Sequence, residues 1–419
     1  MLSRLRPTAM RAWPMRQGKE TAADQALAIL DAEEPERARM RILVLNPSYP
    51  PVACGVGAYT QGLAEALVRA GHDVTVITCA ASTTMVDGPP RVLPLLRQWG
   101  LIAFLQAWPH FPRPRPDLVV SNYPAACDGS HSALYLIPGL AKLLLGRPRT
   151  IFIVHEFVRS GEIEQRLLRL PLWAANRIVA VTEAERDAIV TRYPSVAART
   201  VVRHNPPTIP VAAVDPEADT RMRAALASHE RPVIGFIGLL WGAPKGFEDL
   251  LEALARTDAL LVATGSLDPA NAYHAQIAAL IEQLRLGERV RWLGFVSDEE
   301  AGRLLRAVDA VVLPYRGGAE SGYTSLLAAL VNGAAVITTR GPHNPPWLRD
   351  GGTALLVDRE DPAALARAIT HMLTDERLAA QVRTGARELS FGWDELVEAV
   401  TAKGSPPPFR KTPRAPSGS

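Results

Sequence analysis

The stretch RILVLNPSYPPVACGVGAYTQGLAEALVRAGHDVTVIT, residues 41–78, decides the fold. It opens with an apolar run at 41–46, of strand length and rich in Ile, Leu and Val. A loop containing Pro and Gly follows, and apolar residues then recur at helical spacing over 59–70. A second apolar run at 73–78 closes the unit. Strands that are apolar throughout, with a helix between them, belong to a parallel sheet covered on both faces.

Outward from this unit the alternation continues. Strands are expected at 91–96 (RVLPLL), 117–123 (DLVVSNY), 150–156 (TIFIVHE), 177–183 (RIVAVTE) and 200–205 (TVVRHN), with helical patterns at 132–145 and 183–193. A Pro-containing, weakly patterned stretch at 206–216 reads as a linker. The alternation then restarts. Strands are expected at 232–238 (PVIGFIG), 259–265 (ALLVATG), 290–296 (VRWLGFV), 310–315 (AVVLPY), 335–340 (AVITTR) and 353–358 (TALLVD), with helices at 245–256, 273–286, 298–308 and 321–331. The expected architecture is α/β: two Rossmann-like domains, 40–210 and 217–390, with parallel sheets facing an interdomain cleft. Residues 1–39 read as a weakly helical or disordered extension and 403–419 as a disordered tail. Ligands of open α/β sheets bind at the carboxyl ends of the strands, so the cleft is the place to look for chemistry.

A chain of 419 residues, 47% hydrophobic and 21% charged, is globular and long enough for two cores. Its net charge of +3 comes from 46 Lys and Arg against 43 Asp and Glu, which argues against a nucleic-acid partner. Between Arg91 and Arg177, however, eleven basic residues face five acidic ones, a local excess of +6 suited to peripheral docking on anionic lipid. The most apolar stretch, 134–145, is too short to span a bilayer, and no signal-peptide pattern is visible. Three cysteines with no CxxC pair argue against a disulfide framework or zinc cluster, and a reducing cytoplasm fits best.

Four strand-end loops carry candidate chemistry. In PSYPPVACGVG (47–57), Gly55 and Gly57 allow close backbone approach to an anion at a helix amino terminus, with a plain flexible turn as the alternative. A dinucleotide fingerprint is not met, because Thr60 stands where its third Gly or Ala belongs. His155 and Glu156 end a strand and face the cleft; the plain alternative is a structural histidine. Lys245 opens a helix, where the macrodipole disfavours it unless an anion is near, against a solvated surface lysine as the alternative. In RGGAESGYTSLLAALVNG (316–333), Glu320 precedes Ser321 and Gly322, which are expected to open a helix, with Tyr323 beside them. Fresh helical N–H groups suit a diphosphate and the carboxylate suits sugar hydroxyls, unless Glu320 is only a capping acid. No D-x-D occurs, so no paired-carboxylate metal–diphosphate site is expected, and no G-x-S-x-G hydrolase elbow is present.

At these residues the chain resembles glycosyltransferase family 4, with the GT-B fold, over about residues 40 to 400. PPVACGVGAYTQGLAEALVRAGHDVTVIT is similar to the family's Gly loop, helix and second strand. HNPPTIP at 204 stands at its interdomain turn, and GLLWGAPKG at its G-R-x5-K-G. ESGYTSLLAALVNGAAVITT aligns to its E-x7-E segment, and FGWDELVEAV at 391 resembles a last helix that crosses back to the amino-terminal domain. The resemblance implies transfer of a sugar from a nucleotide-diphospho-sugar to a glycan, lipid-linked or small-molecule acceptor, with retention and without metal or other cofactor. It implies that Gly55 and Gly57 line the diphosphate, Lys245 neutralises it, His155 sits beside the sugar and Glu320 holds its hydroxyls. Two positions depart from the family. Leu239 replaces the arginine partner of Lys245, with Arg316 and Arg340 near enough in sequence to compensate, and Ala328 replaces the second, ribose-holding glutamate. These losses motivate a rival expectation of a GT-B chain without transfer activity that serves as a binding or scaffold subunit. An epimerase or phosphorylase on the same fold is a further alternative.

Overall fold

The structure, a computed structural model, describes residues 39–52, 54–79, 88–96, 108–111, 113–124, 134–227, 231–240, 242–389 and 391–404. The extension at 1–38 and the tail from 405 onward lie outside the described residues.

The first half runs β1 (Arg41–Leu45), α1 (Gly55–Arg69), β2 (Asp73–Cys79), β3 (Arg91–Leu96), β4 (Leu118–Tyr123), α2 (Ile137–Leu144), β5 (Arg149–Val154), α3 (Glu162–Ala174), β6 (Arg177–Ala180), α4 (Glu183–Arg192) and β7 (Thr200–Val202). Its strands form one parallel sheet in the order β3-β2-β1-β4-β5-β6-β7. Apolar side chains cover both faces. Ile42, Val44 and Val120 pack under α1, and Leu43, Phe152 and Ile178 pack under α2 and α3.

The second half runs α5 (Pro216–Ala227), β8 (Val233–Phe236), α6 (Phe247–Leu254), β9 (Leu260–Ala263), α7 (Ala272–Gln283), β10 (Val290–Trp292), α8 (Asp298–Ala307), β11 (Ala310–Leu313), α9 (Thr324–Val331), β12 (Val336–Thr339), β13 (Leu355–Val357), α10 (Pro362–Thr374) and α11 (Glu376–Arg387). Its sheet, also parallel, has the order β10-β9-β8-β11-β12-β13 around one continuous core. α3, α5, α10 and α11 are helices that the sequence patterns did not single out.

The chain then returns to the first half. α12 (Asp394–Thr401) buries Leu396, Val397 and Val400 beside Tyr59, Leu63 and Leu67 of α1. Gly62 makes room for this return, because a Cβ there would stand 2.2 Å from the Trp393 ring. Arg149 donates to the Thr401 carbonyl at 3.0 Å and Arg177 to that of Ala402 at 3.1 Å. Cations at the carboxyl end of a helix answer its unpaired carbonyls and its dipole. No helix among the described residues is long and apolar enough to cross a membrane.

Candidate functional site

Strand order reverses between β1 and β4 in the first sheet and between β8 and β11 in the second. Crevices open at such switch points, and segments that follow β1, β5, β6, β8 and β11 line one cavity of about 170 Å³ between the two halves.

The C-terminal wall is built around Lys245. This residue closes a single 3₁₀ turn, Ala243–Lys245, just before α6 begins at Phe247, so the expected helix start comes two residues late. Gly246 then takes φ +65°, and a Cβ on it would meet the Pro314 carbonyl oxygen at 1.9 Å. Only glycine fits there, and the fit presses the lysine turn onto the end of β11. The Lys245 Nζ lies 5.3 Å from the Tyr315 ring and 5.5 Å from the Tyr323 ring, which stack on each other at 4.1 Å. Burial first, and then the positive charge of Arg159, bring the Lys245 ammonium down to about 8. A lysine so placed gains from an anion beside it. Glu320, Gly322, Tyr323 and Thr324 complete this wall. The helix opens at Thr324 rather than at Ser321, so Ser321 and Gly322 form the turn ahead of it.

The N-terminal wall carries His155, directly after β5. Its ring packs edge-on against Tyr59 at 4.6 Å, and its Nε2 is buried without a hydrogen-bond partner. Burial pushes its pKa down to about 4, so the imidazole is neutral at ordinary pH. Four residues on, Arg159 reaches across the cleft. It donates to the Tyr323 hydroxyl, lies 3.9 Å from the Glu320 carboxylate and covers the Tyr323 ring at 5.4 Å. The loop that holds it is tied down by Glu185, near the start of α4, whose carboxylate accepts from the Val158 N–H at 3.0 Å. Burial pushes the Glu185 carboxyl up to about 7, opposed by the N–H groups of Val158 and Phe157. Asn205, in the HNPP segment, donates across the gap to the Gly322 carbonyl at 3.2 Å.

Of the residues singled out in the sequence, His155, Glu156, Lys245, Glu320, Gly55, Gly322 and Tyr323 line this cavity. Gly57 does not. It lies inside the first turn of α1 with its Cα facing the Ser48–Tyr49 backbone, because the helix starts two residues earlier than the loop reading requires. Ser321 is buried beneath the turn and is not part of the lining. Neither sequence-adjacent arginine compensates for Leu239. Arg316 makes two 3.0 Å bonds to Asp249, and Arg340 is engaged by Asp350. Ala328 is fully buried in the C-terminal core, which leaves no polar surface for a carboxylate there. Cys54, at the amino end of α1, is disulfide-bonded, a single bridge and not the framework that the cysteine pattern argues against.

Arg159, Glu185, Tyr59 and Asn205 also line the cavity, and no sequence pattern points to them. Arg159 carries no motif, and its only sequence signal is that it follows the same strand end as His155. Among the described residues no group of three or more His, Cys, Asp or Glu is placed to hold a metal ion.

Residues 53–206 match the family described as Glycosyltransferase Family 4, and residues 218–389 match Glycosyl transferases group 1, so that between them they account for most of the chain. A D-inositol 3-phosphate glycosyltransferase of Salinispora arenicola is 28% identical over 256 residues, 55% of this chain and 56% of that one. A protein of the same name from Mycobacterium sp. (strain JLS) is 30% identical over 217 residues, 51% and 48% of the two chains. The chain thus matches about half the length of these curated relatives. Among solved structures, sucrose-phosphate synthase from Thermosynechococcus elongatus superposes with a TM-score of 0.66 at 22% identity, over 86% of this chain and 96% of that one. Anabaena HepE in complex with UDP and glucose gives 0.65 at 19%, over 83% and 94%. These likenesses establish the architecture. With both halves matched in order, the chain belongs to the group 1 glycosyltransferases of family 4 and has the GT-B fold.

Proposed function

We propose that this chain transfers a sugar from a nucleotide-diphospho-sugar to a hydroxyl of a glycan, lipid-linked or small-molecule acceptor, with retention and without a metal. The observation that carries this reading is the convergence of Lys245 and Arg159, from opposite walls, on one cavity that also holds Glu320. In this reaction the bond from the sugar's anomeric carbon to the diphosphate oxygen breaks. The acceptor oxygen bonds to that carbon from the same face, and the acceptor's proton passes to the departing diphosphate. Lys245, Arg159 and the positive dipole end at the start of α9 stabilise the charge that develops on the leaving group. Glu320 accepts from sugar hydroxyls once Arg159 turns to the phosphates, and a further hydroxyl satisfies the neutral His155 at Nε2. Cavities that take drug-sized ligands measure roughly 300 to 1,000 Å³. The smaller volume here fits a site that the Arg159 bridge holds narrow until the donor displaces it.

Calorimetric titration with UDP-, GDP-, ADP- and dTDP-sugars, without and then with Mg²⁺, tests the reading. Binding of one of them, indifferent to Mg²⁺ and lost in Lys245→Ala, is the expected result. Leu239 and Ala328 favour the second reading, a GT-B subunit without transfer activity. Failure of every nucleotide sugar to bind would establish that reading in place of the first.

A further inference from the structure

The exposed face of α3 carries four large apolar side chains among its charged ones, more than a surface helix ordinarily shows. Ile163, Leu167, Leu170 and Trp173 are 74%, 42%, 50% and 71% exposed. Their spacing of four, three and three residues sets them along one side of the helix. The opposite side is satisfied already, since Leu168, Pro171 and Leu172 are buried against the sheet. Next to α3, Leu143 of α2 is 77% exposed. Of the ten large apolar side chains exposed among the described residues, six fall between Leu143 and Trp173, so the patch is concentrated rather than scattered.

Charge decides what covers it. Arg166 and Arg169 are exposed among these apolar side chains. Glu162 on the same side is matched by two cations, Arg166 at 3.1 Å and Arg192 at 2.7 Å. Along the sequence, Arg91 to Arg177 carries an excess of +6 against +3 for the whole chain, of which Arg149 and Arg177 are taken up by the end of α12 and Arg159 by the cleft. Apolar side chains interleaved with arginines, and a tryptophan at one end, suit the boundary between headgroups and acyl chains. There guanidinium groups reach lipid phosphates while their stems stay in the apolar layer.

We propose that α3 is a lipid-docking helix and that it seats the N-terminal domain on a bilayer bearing anionic headgroups. Its amino end, at Gly161, is two residues from Arg159 in the cleft. Its 13 residues span about 20 Å. A docked α3 therefore holds the mouth of the cleft at headgroup level, and the acceptor is a hydroxyl on a lipid-linked molecule. The acceptor assignment rests on the transferase reading above; the docking itself does not.

The test is co-sedimentation of the full chain with phosphatidylcholine vesicles, with and without a third of phosphatidylglycerol, at low and raised salt. Two variants are compared with the wild type: Ile163→Ser/Leu170→Ser/Trp173→Ser and Arg166→Gln/Arg169→Gln. Binding should occur to the anionic vesicles only and be weakened by salt. The triple variant should bind at least about tenfold more weakly. Each arginine removed should cost about fivefold, the equivalent of about 1 kcal/mol per basic residue at a membrane surface. Absence of binding at low salt overturns the proposal, as does unchanged binding by both variants. Self-association of the wild type that the triple variant loses, without vesicle binding, would assign the face to a second copy of the chain instead. Nucleotide-sugar titration of the same proteins should be identical to wild type. A donor that fails to bind any of them counts against the transferase reading and leaves the vesicle result standing.

Discussion

On the C-terminal wall of the cleft, Lys245 is fixed by its own domain: the left-handed Gly246 presses against Pro314, and the Tyr315–Tyr323 stack lies beside the ammonium. On the N-terminal wall, Arg159 sits on a loop tied by the Glu185 carboxylate, and its guanidinium finds its partners, Tyr323 and Glu320, in the other domain. One cation is placed by short-range backbone geometry and the other by contacts across the gap. A wall of the first kind holds its charge where the leaving group forms, and one of the second kind releases when a stronger anion arrives.

If that difference holds, the fixed cation matters most. Lys245→Ala should weaken nucleotide-sugar binding by about 4 kcal/mol, close to a thousandfold, since charged hydrogen bonds contribute roughly 1.5 to 3 kcal/mol each and a phosphate accepts more than one. Calorimetric titration reads this, and a loss under tenfold would break the comparison. The tether on the opposite wall comes next. The Glu185 carboxyl titrates near 7 in the folded protein against an ordinary 4.5, so the native state keeps a proton that the unfolded chain has released. Its contribution to stability is full below about pH 4.5 and is lost as pH rises through about 7, up to about 3 kcal/mol. Urea unfolding at pH 5 and pH 8 should show this slope in wild type and not in Glu185→Gln. Arg159→Ala should cost about 2 kcal/mol of donor affinity, roughly thirtyfold, with the unfolding midpoint unchanged. The smallest effect is one of pH. Donor affinity should fall as pH rises through about 8, where Lys245 loses its charge, by at most about tenfold per unit. Lys245→Arg should flatten that profile, and a profile equally steep in the variant would assign the titration to another group.

The same contrast governs how much was legible in the sequence. Strands showed clearly, because a strand buried on both faces leaves a continuous apolar run such as TIFIV or AVVL. α3 did not, since its apolar residues lie on both the buried and the exposed sides and Pro171 interrupts the pattern. α10 and α11 declare themselves through capping, with Asp361 and Asp375 accepting from their first turns, more than through an apolar stripe. Lys245 and Glu320 could be found because local turn chemistry places them. Arg159 could not, because what places it is a tyrosine 164 residues later in the chain. Gly57 and Ser321 differ from their sequence reading because helix starts shift by two or three residues, and each shift turns a lining residue into a buried one.

The central claim is that Lys245 and Arg159 act together on one diphosphate, and a double-mutant cycle on nucleotide-sugar binding tests it most directly. Wild type, Lys245→Ala, Arg159→Ala and the double variant are titrated with the same donor. Two cations on one ligand should give losses that are not additive, with a coupling of about 1 kcal/mol or more. Additive losses, or an Arg159→Ala protein that binds donor as tightly as wild type, would contradict the account and leave Arg159 as a bridge between domains with no part in donor recognition.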